Sequence, residues 1–325
     1  MTVDAERDSS ITPTQTLPHR GGGLYGAQLV DLLSIDSLSD DQIATILDRG
    51  QHWFERLREG QSSQVLQGKL VFNVFYENST RTAMSFATAA HRLGASPQFL
   101  SVEHSSVKKG ESLEDTARTL NAMRPDLMVI RHEENGAPER VAAIMRCPVI
   151  NAGDGTNEHP TQALLDAATI RSRFGRIEGL TVAICGDIRH SRVARSNAKL
   201  LPRLGATVRL AGPPELMPEN GAKLSIEEAV QNADVVMMLR IQRERLERDL
   251  EDGPGEYLQR YGLTRERLAL AKSNAAVMHP GPMNRGVEIE SGIADDSQRS
   301  LIALQVEYGV AVRMACLELL AGSAG

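Results

Sequence analysis

Short apolar runs alternate with stretches of helical hydrophobic spacing along most of this 325-residue chain. Each run has the length of a buried strand, and polar turn residues separate it from the helical stretch that follows. The predicted strands lie at residues 70–76, 98–102, 127–130, 149–150, 181–185, 207–211, 235–239 and 276–278. Strands that alternate with helices favour parallel βαβ units, in which helices cover both faces of the sheet. The pattern therefore predicts an α/β fold.

The alternation occurs twice, with the break near His159-Pro160. A chain of this length is sufficient for two domains. We predict two doubly wound domains, each with a central, mainly parallel sheet: residues 27–160 with 305–325 form one, and residues 161–304 form the other. Because such folds bind ligands at the carboxyl ends of their strands, we expect the active site in the cleft between the domains.

The predicted helices complete this pattern. They run from a cap at residues 36–39 to about residue 58, from residue 82 onward, and over residues 116–123, 141–146, 162–170, 192–204 and 305–320. Residues 1–26 are rich in Ser, Thr, Pro and Gly, and we predict that they form a flexible N-terminal extension.

Composition limits the partners and the compartment. The net charge is −6, so bulk electrostatics disfavour nucleic acid, and local Arg and Lys groups must capture any anionic ligand. The apolar runs are too short to cross a bilayer, and early acidic residues disfavour a secretory signal. Cys147, Cys185 and Cys316 are far apart and form no CxxC pair. We therefore expect buried free thiols in a cytoplasmic protein, with neither a zinc site nor a disulfide framework.

A dense polar cluster, Ser79-Thr80-Arg81-Thr82, lies where the predicted strand 70–76 ends and a helix begins. Free backbone N–H groups and the positive end of the helix dipole favour an anion at such a point. The hydroxyls and the guanidinium add donors that suit a phosphate. The alternative is a capping Ser or Thr beside a solvated Arg. The segment alone leaves both interpretations open.

Two arginines follow other predicted strands directly. Arg131 comes after residues 127–130, and Arg240 comes after residues 235–239. Because a strand fixes the backbone beside it, each guanidinium has a defined position. Each arginine is a candidate for either a structural ion pair or an anion ligand.

Two further cationic groups are candidate ligands. Lys109 lies in the polar loop 105–111, which is either a solvated loop or a mobile arm that delivers positive charge to an anion. Arg192 lies at a helix start after the strand 181–185, where it is available to a carboxylate. The GxGxxG glycines of a dinucleotide site are absent from this strand–helix junction, which excludes that interpretation.

The helix start at His159-Pro160-Thr161-Gln162 places an imidazole and an amide close together. A single His is more often structural, but this combination is more specific, and both groups could point to one carbonyl. The turn that contains Gly281 and Pro282 is stiff and presents backbone carbonyls, which could accept hydrogen bonds from an NH₂ group.

Together the clusters provide cations, hydroxyls, an imidazole, an amide and accepting carbonyls. They contain no pair of catalytic carboxylates, no nucleophilic Ser or Cys constellation and no metal-ligand cluster. A substrate with one phosphate, one polarisable carbonyl and separate carboxylates fits this set. The sequence therefore predicts group transfer by positioning and electrostatics.

These motifs resemble the aspartate/ornithine carbamoyltransferase family. The similarity rests on Ser-Thr-Arg-Thr at residue 79, His-Pro-Thr-Gln-Ala-Leu-Leu-Asp at residue 159, and the Lys-Lys-Gly-Glu loop at residue 108, and it covers the chain from about residue 28 to the end. The ornithine members carry His-Cys-Leu-Pro and Asp-x-x-x-Ser-Met-Gly motifs. Here His279-Pro280-Gly281-Pro282 and Arg240-Ile241-Gln242 occupy those places. Arginines suit a dicarboxylate, so the resemblance is to the aspartate branch.

The resemblance implies a role for each matching residue. It implies that Ser79, Thr80, Arg81 and Thr82 bind the phosphate of carbamoyl phosphate, and that Thr82, Arg131 and His159 reach its carbonyl oxygen. It implies that Gln162 and the carbonyls of Gly281 and Pro282 hold the carbamoyl NH₂. It also implies that Arg192, Arg240, Gln242 and Lys109 bind L-aspartate. A neighbouring subunit would supply Ser105 and Lys109, although Ser106 is an alternative to Ser105.

The same resemblance implies a cytoplasmic homotrimer in pyrimidine biosynthesis, with no metal or organic cofactor. Family members associate with regulatory or dihydroorotase-like chains, so a larger assembly is an open alternative. Two rival functions remain: a transcarbamylase for another amino acid or a diamine, and a non-catalytic subunit that senses phosphate. The second would be expected to lack one of Arg81, Thr82, Arg131 or His159, and all four are present.

Overall fold

The computed structural model describes residues 29–101, 110–220, 224–241 and 253–322. Each half of the chain forms a four-stranded sheet whose neighbouring strands are parallel. The first sheet has the order β2-β1-β3-β4, and the second has the order β6-β5-β7-β8. The strands are β1 Leu70–Phe75, β2 Ser96–Ser101, β3 Leu127–His132, β4 Val149–Asp154, β5 Thr181–Cys185, β6 Thr207–Ala211, β7 Val235–Met238 and β8 Ala276–Met278.

Helices connect the strands and cover the sheets. The described helices are α1 Asp40–Arg58, α2 Thr80–Arg92, α3 Leu113–Ala122, α4 Ala137–Ala142, α5 Pro160–Phe174, α6 Arg192–Arg203, α7 Ile226–Val230, α8 Pro254–Tyr261, α9 Arg265–Leu268, α10 Ser291–Ala294 and α11 Ile302–Ala321, with a 3-10 turn at Pro214–Leu216. The predicted α/β class with two doubly wound parallel sheets is confirmed.

The strand order explains where a site can form. In the first sheet β2 and β3 lie on opposite sides of β1, and in the second β6 and β7 lie on opposite sides of β5. The chain therefore leaves β1 and β3 in opposite directions, which opens a crevice at their carboxyl ends. The same holds for β5 and β7. Residues 79–82, Arg131, Arg192 and Arg240 lie at or just after the ends of these four strands, and His159 and Gly281 follow β4 and β8.

The C-terminal helix α11 returns to the first half of the chain. It is buried over most of its length from Tyr308 onward, and it packs against α1, α2 and α5. Helix α5 contacts both α11 and α6 of the second half. The first sheet, these helices and part of the second half share one large hydrophobic core. The predicted division of the chain at residues 160 and 305 stays a prediction.

The predicted bounds of most elements agree with the structure to within a few residues, but the predicted bounds of one helix were wrong. The helix expected at residues 141–146 forms instead at Ala137–Ala142. Gly136 precedes it with φ 79°, and Pro138 lies in its first turn. Proline has the φ of a helix start and lacks the N–H that would be unsatisfied there, so this position begins the helix earlier.

Three other features bear on the expectations from sequence. None of the described helices combines the length and apolarity needed to cross a membrane. Cys185 and Cys316 are buried free thiols, and Cys147 is a half-buried one. The predicted extension at residues 1–26 lies outside the described residues, as do Ser105, Ser106, Lys109 and Gln242.

Candidate active site

A cleft of about 1010 Å³ opens at the carboxyl ends of strands from both sheets. Every described residue that the sequence selected for the site lines this cleft. They are Ser79, Thr80, Arg81, Thr82, Arg131, His159, Gln162, Arg192, Arg240, Gly281 and Pro282. The crevice at the ends of β1 and β3 and the crevice at the ends of β5 and β7 thus open into one cavity. This explains how residues from distant parts of the chain meet.

The start of helix α2 forms one wall of the cleft. Ser79 occupies the N-cap position, but its side chain makes no capping hydrogen bond, and the first turn contains no acidic residue. The capping interpretation of the Ser79 hydroxyl is therefore wrong in this structure. Thr82, in the first turn, is buried beside the cavity. Uncapped N–H groups, hydroxyls and the helix dipole are the features that favour an anion at such a wall, so the predicted phosphate role stays a prediction consistent with this geometry.

Arg81 connects this wall to the turn at Gly281. Gly281 has φ +66°, and a Cβ atom added there would lie 3.0 Å from Arg81 Cζ. The turn therefore approaches the guanidinium so closely that a larger residue would be strained. Burial lowers the pKa of Arg81, and the charge of Arg240 adds to this effect. The two guanidinium groups repel each other, so an anion between them is favoured.

Glu77 bridges two other arginines. Its Oε2 atom accepts a hydrogen bond of 2.9 Å from Arg131 Nε and one of 2.6 Å from Arg192 Nη2. Arg192 also donates to the carbonyl of Gly155, and Arg131 to the carbonyl of Ala152. Arg131 thus forms a structural ion pair and also lines the cavity, and its predicted role as an anion ligand stays a prediction.

Burial in this cluster lowers the pKa of Arg131 to about 10, and the charge of Arg192 contributes next. Gly153 has φ +118°, and a Cβ atom added there would lie 3.1 Å from Arg192 Nε and 3.3 Å from Arg131 Nη1, so a larger residue would crowd both guanidinium groups. Glu77 was not predicted from sequence as a site residue, because its two partners lie 54 and 115 positions away along the chain. One carboxylate holds two guanidinium groups in position for a second anion.

His159 lies at the N-cap of α5 and is buried. Its backbone N–H donates to Ser196 Oγ at 2.9 Å, which fixes the residue. Among the described residues, its buried Nδ1 atom has no hydrogen-bond partner. Burial lowers the pKa of His159 well below its usual value, and the charges of Arg131, Arg313 and Arg192 add to the shift. The imidazole is therefore neutral, and one ring N–H can serve as a donor to a ligand.

This shift predicts the titration of His159. We expect its ring to stay neutral between about pH 6 and 8, because its pKa lies below the 6.5 of an unperturbed histidine. The same shift means that stability is fully present above about pH 6.5 and is lost as the pH falls towards the folded-state pKa. NMR titration of ¹³C-labelled histidine would measure this, with His159→Ala used to assign the signal. A midpoint at or above about 6.5 would contradict the neutral-donor role.

Gln162 contributes an oriented amide on the same helix. Its Nε2 atom donates to Asp166 Oδ1 at 3.0 Å, which leaves the carbonyl oxygen as the acceptor available to a ligand. Gly281 and Pro282 of the predicted turn line the same cavity, and the predicted role of their carbonyls stays a prediction. Among the described residues, no group of three or more His, Cys, Asp or Glu side chains is placed to hold a metal ion.

The chain matches two family models that together cover most of it. Residues 30–172 match the carbamoyl-P binding domain of aspartate/ornithine carbamoyltransferases, and residues 178–320 match their Asp/Orn binding domain. The chain is 54% identical over 299 residues to the aspartate carbamoyltransferase catalytic subunit of Rhodospirillum rubrum, covering 90% of this chain and 94% of the relative. It is also 54% identical to the catalytic subunit from Granulibacter bethesdensis over 297 residues, with 89% and 94% covered.

Solved structures agree with this similarity. Aspartate transcarbamoylase from Trypanosoma cruzi, in complex with carbamoyl phosphate and aspartate, superposes with a TM-score of 0.80 at 31% identity, covering 90% of this chain and 96% of that one. Ornithine carbamoyltransferase from Pyrococcus furiosus superposes with a TM-score of 0.82 at 27% identity, with 91% and 99% covered. Both domain models, the relatives and the cleft agree, and the chain belongs to the aspartate/ornithine carbamoyltransferase family.

Proposed function

We propose that this protein transfers the carbamoyl group of carbamoyl phosphate to the amino group of L-aspartate, giving N-carbamoyl-L-aspartate and phosphate. This reaction is a step of de novo pyrimidine biosynthesis. The observation that carries the proposal is the meeting, in one cleft, of an uncapped helix start, a neutral buried imidazole and several guanidinium groups. The names of the 54%-identical relatives support aspartate as the acceptor.

The phosphate of carbamoyl phosphate binds at the start of α2. Ser79, Thr80, Arg81 and Thr82 surround it with hydroxyls, backbone N–H groups and one guanidinium. Arg131 lines the same cleft and contacts the carbonyl end of the same ligand in this proposal. These contacts hold the leaving group and the reacting carbon in one orientation, which removes much of the entropic cost of reaction.

Thr82, Arg131 and His159 stabilise the charge that grows on the carbonyl oxygen. The amine nitrogen of aspartate bonds to the carbamoyl carbon, and the carbonyl oxygen gains negative charge in the tetrahedral intermediate. The bond from carbon to the phosphate oxygen then breaks, and phosphate leaves with the electron pair and takes up the amine proton. Fixed donors around the oxygen act without reorganising, which is the main source of catalysis in such sites.

Aspartate binds through its two carboxylates. Arg192 and Arg240 line the cleft, and the family resemblance adds Gln242 and Lys109 to this group. The positive charge of the two arginines and the lysine attracts a dicarboxylate and repels the side-chain ammonium of ornithine or a diamine. The same charge pattern disfavours the rival transcarbamylase functions.

The remaining assignments follow from the family. Residues 27–160 with 305–325 would form the carbamoyl phosphate-binding domain, and residues 161–304 the aspartate-binding domain. Ser105 and Lys109 would enter the cleft of a neighbouring subunit in a cytoplasmic homotrimer. The trimer could be free or part of a larger assembly with regulatory or dihydroorotase-like chains.

A bisubstrate analogue tests the whole proposal. N-(phosphonacetyl)-L-aspartate joins a phosphonate to an aspartate, and we expect calorimetry to detect tight binding. Arg192→Ala should weaken the binding by about 10- to 100-fold, since a charge-assisted hydrogen bond is lost. Arg195→Ala, an exposed arginine on the same helix, is the matched control and should bind like the unmodified protein.

Steady-state assays separate the acceptors. We expect turnover with aspartate and none above background with ornithine or putrescine. Absence of analogue binding to the unmodified protein would refute the proposed function, whereas turnover with ornithine would refute only the choice of acceptor.

A further inference from the structure

A buried carboxylate beneath the cleft receives hydrogen bonds from three side-chain amides. Asp166 lies one turn after Gln162 on α5 and is fully buried. Its Oδ1 atom accepts from Gln162 Nε2 at 3.0 Å and from Gln305 Nε2 at 2.8 Å. Its Oδ2 atom accepts from Asn197 Nδ2 at 2.8 Å. One carboxylate thus joins α5, α6 and the C-terminal helix α11.

Because an ionised carboxylate only accepts hydrogen bonds, it determines which way each amide points. Every amide must turn its NH₂ group towards Asp166 and its carbonyl oxygen away from it. For Gln162, which lines the cleft, the carbonyl oxygen is then the atom offered to a ligand. For Gln305, the carbonyl oxygen accepts the backbone N–H of His279 at 2.9 Å.

His279 begins the turn that carries the other acceptors. Its Nδ1 atom accepts the N–H of Gly281 at 2.8 Å, and its Nε2 atom lies 3.2 Å from Glu288 Oε1. The backbone N–H groups of His279 and Gly281 are therefore engaged inside the protein, and Gly281 and Pro282 line the cavity. Gln305 links this turn to Asp166.

We propose that Asp166 is a positioning residue that makes the subsite for the carbamoyl NH₂ group accept hydrogen bonds only. Through Gln162 it orients a side-chain carbonyl, and through Gln305 it anchors the turn that offers the backbone carbonyls. Such a subsite favours a ligand with an NH₂ group over one with a methyl group or an oxygen at that position. The proposal rests on the proposed function, since it concerns recognition of the same donor substrate.

The loss of stability caused by burying this ionised carboxylate supports a functional role for it. Burial raises the pKa of Asp166 from 3.8 to about 6, although the amides of Asn197, Gln305 and Gln162 and the charge of Arg313 favour the ionised form. The folded state therefore binds its proton more tightly than the unfolded chain, and stability is lost as the pH rises from about 4 to 6. An ionised Asp166 at neutral pH thus costs stability, and it provides the only kind of group that accepts from all three amides.

The experiment compares carbamoyl phosphate with acetyl phosphate, which carries a methyl group in place of NH₂. The measured quantity is the ratio of their dissociation constants. Asp166→Asn has a single acceptor oxygen, so an NH₂ group must face either Asn197 or the two glutamines. Gln305→Met keeps the volume and removes the acceptor for His279. We expect each variant to reduce the preference for carbamoyl phosphate by about tenfold, the scale of one misplaced buried hydrogen bond.

Asn197→Ala is the matched control, because it removes a donor to the same carboxylate without touching either glutamine. It should lower the free energy of unfolding in urea but keep the preference for carbamoyl phosphate. Should Asp166→Asn fail to fold, Gln305→Met decides the question. An unchanged ratio in a folded Asp166→Asn or Gln305→Met variant, or an equal loss in Asn197→Ala, would show that the network is only structural and overturn the proposal.

Failure of the proposed function would look different. In that case the unmodified protein would turn over no carbamoyl phosphate with aspartate, whatever the variants do. A working enzyme whose preference for carbamoyl phosphate is unaffected by these substitutions would overturn only the role of Asp166.

Discussion

His159→Ala is expected to lower kcat by roughly 100-fold or more, with a much smaller change in the KM for carbamoyl phosphate. The reason is that the neutral ring N–H stabilises charge that exists only in the transition state. The lowered pKa of His159 keeps the ring neutral, so one ring N–H is available as a donor. Steady-state kinetics with aspartate and carbamoyl phosphate would measure the effect.

Arg131→Ala should produce a loss of at least similar size for the same reason. It also removes one of the two guanidinium groups that Glu77 holds, so Glu77 can shift with Arg192, and the KM for aspartate should rise through the disturbed Arg192. The controls are His91→Ala and Arg118→Ala, which change exposed residues outside the cleft. Near-normal turnover of His159→Ala or Arg131→Ala would remove the assigned role of that residue.

The second large effect is the activity expected to return when subunits of two inactive variants are mixed. Arg81→Ala and Lys109→Ala should each be nearly inactive alone, because each loses a cation that binds substrate. If a neighbouring subunit supplies Lys109, a mixed trimer contains some sites in which an intact Arg81 faces an intact Lys109. Random mixing of equal amounts would restore about a quarter of the sites, as expected for a head-to-tail ring.

The control for this experiment mixes two variants whose substituted residues are supplied to the site by the same chain. Arg81 and Arg131 line one cleft in a single chain, so a mixture of Arg81→Ala and Arg131→Ala should stay inactive. The mixtures would be dissociated, recombined and assayed for turnover. Activity no greater than the sum of the separate variants in the Arg81→Ala and Lys109→Ala mixture would refute the shared site.

Local patterns in the sequence predicted the elements well. Residues 181–185, 207–211 and 276–278 form strands with the predicted bounds, because a short apolar run between turn residues has few alternatives. The helix at Ala137–Ala142 was misplaced, since its start depends on Gly136 and Pro138 and not on the spacing of its apolar residues. The bounds of elements with a regular pattern of apolar residues were thus predicted more accurately than the bounds of a helix whose start depends on its capping residues.

The candidate site was likewise predicted only in part from the sequence. The cations and hydroxyls after each strand were visible in sequence, because parallel strands bring their carboxyl ends to one edge of the sheet. The bridge from Glu77 to Arg131 and Arg192 was not visible, since its partners are 54 and 115 positions away. No local pattern records which of several arginines will share one carboxylate.

The sequence by itself determined which segments become strands and helices and which polar groups stand at their ends, because both depend on residues within a few positions of one another. Only the tertiary structure decided how those groups are oriented. Asp166 and Gln305 are 139 positions apart, yet their hydrogen bond connects a buried carboxylate to the turn at Gly281. The direction of each amide and the neutral state of His159 follow from burial and neighbouring charge, which exist only once the two halves of the chain have packed together.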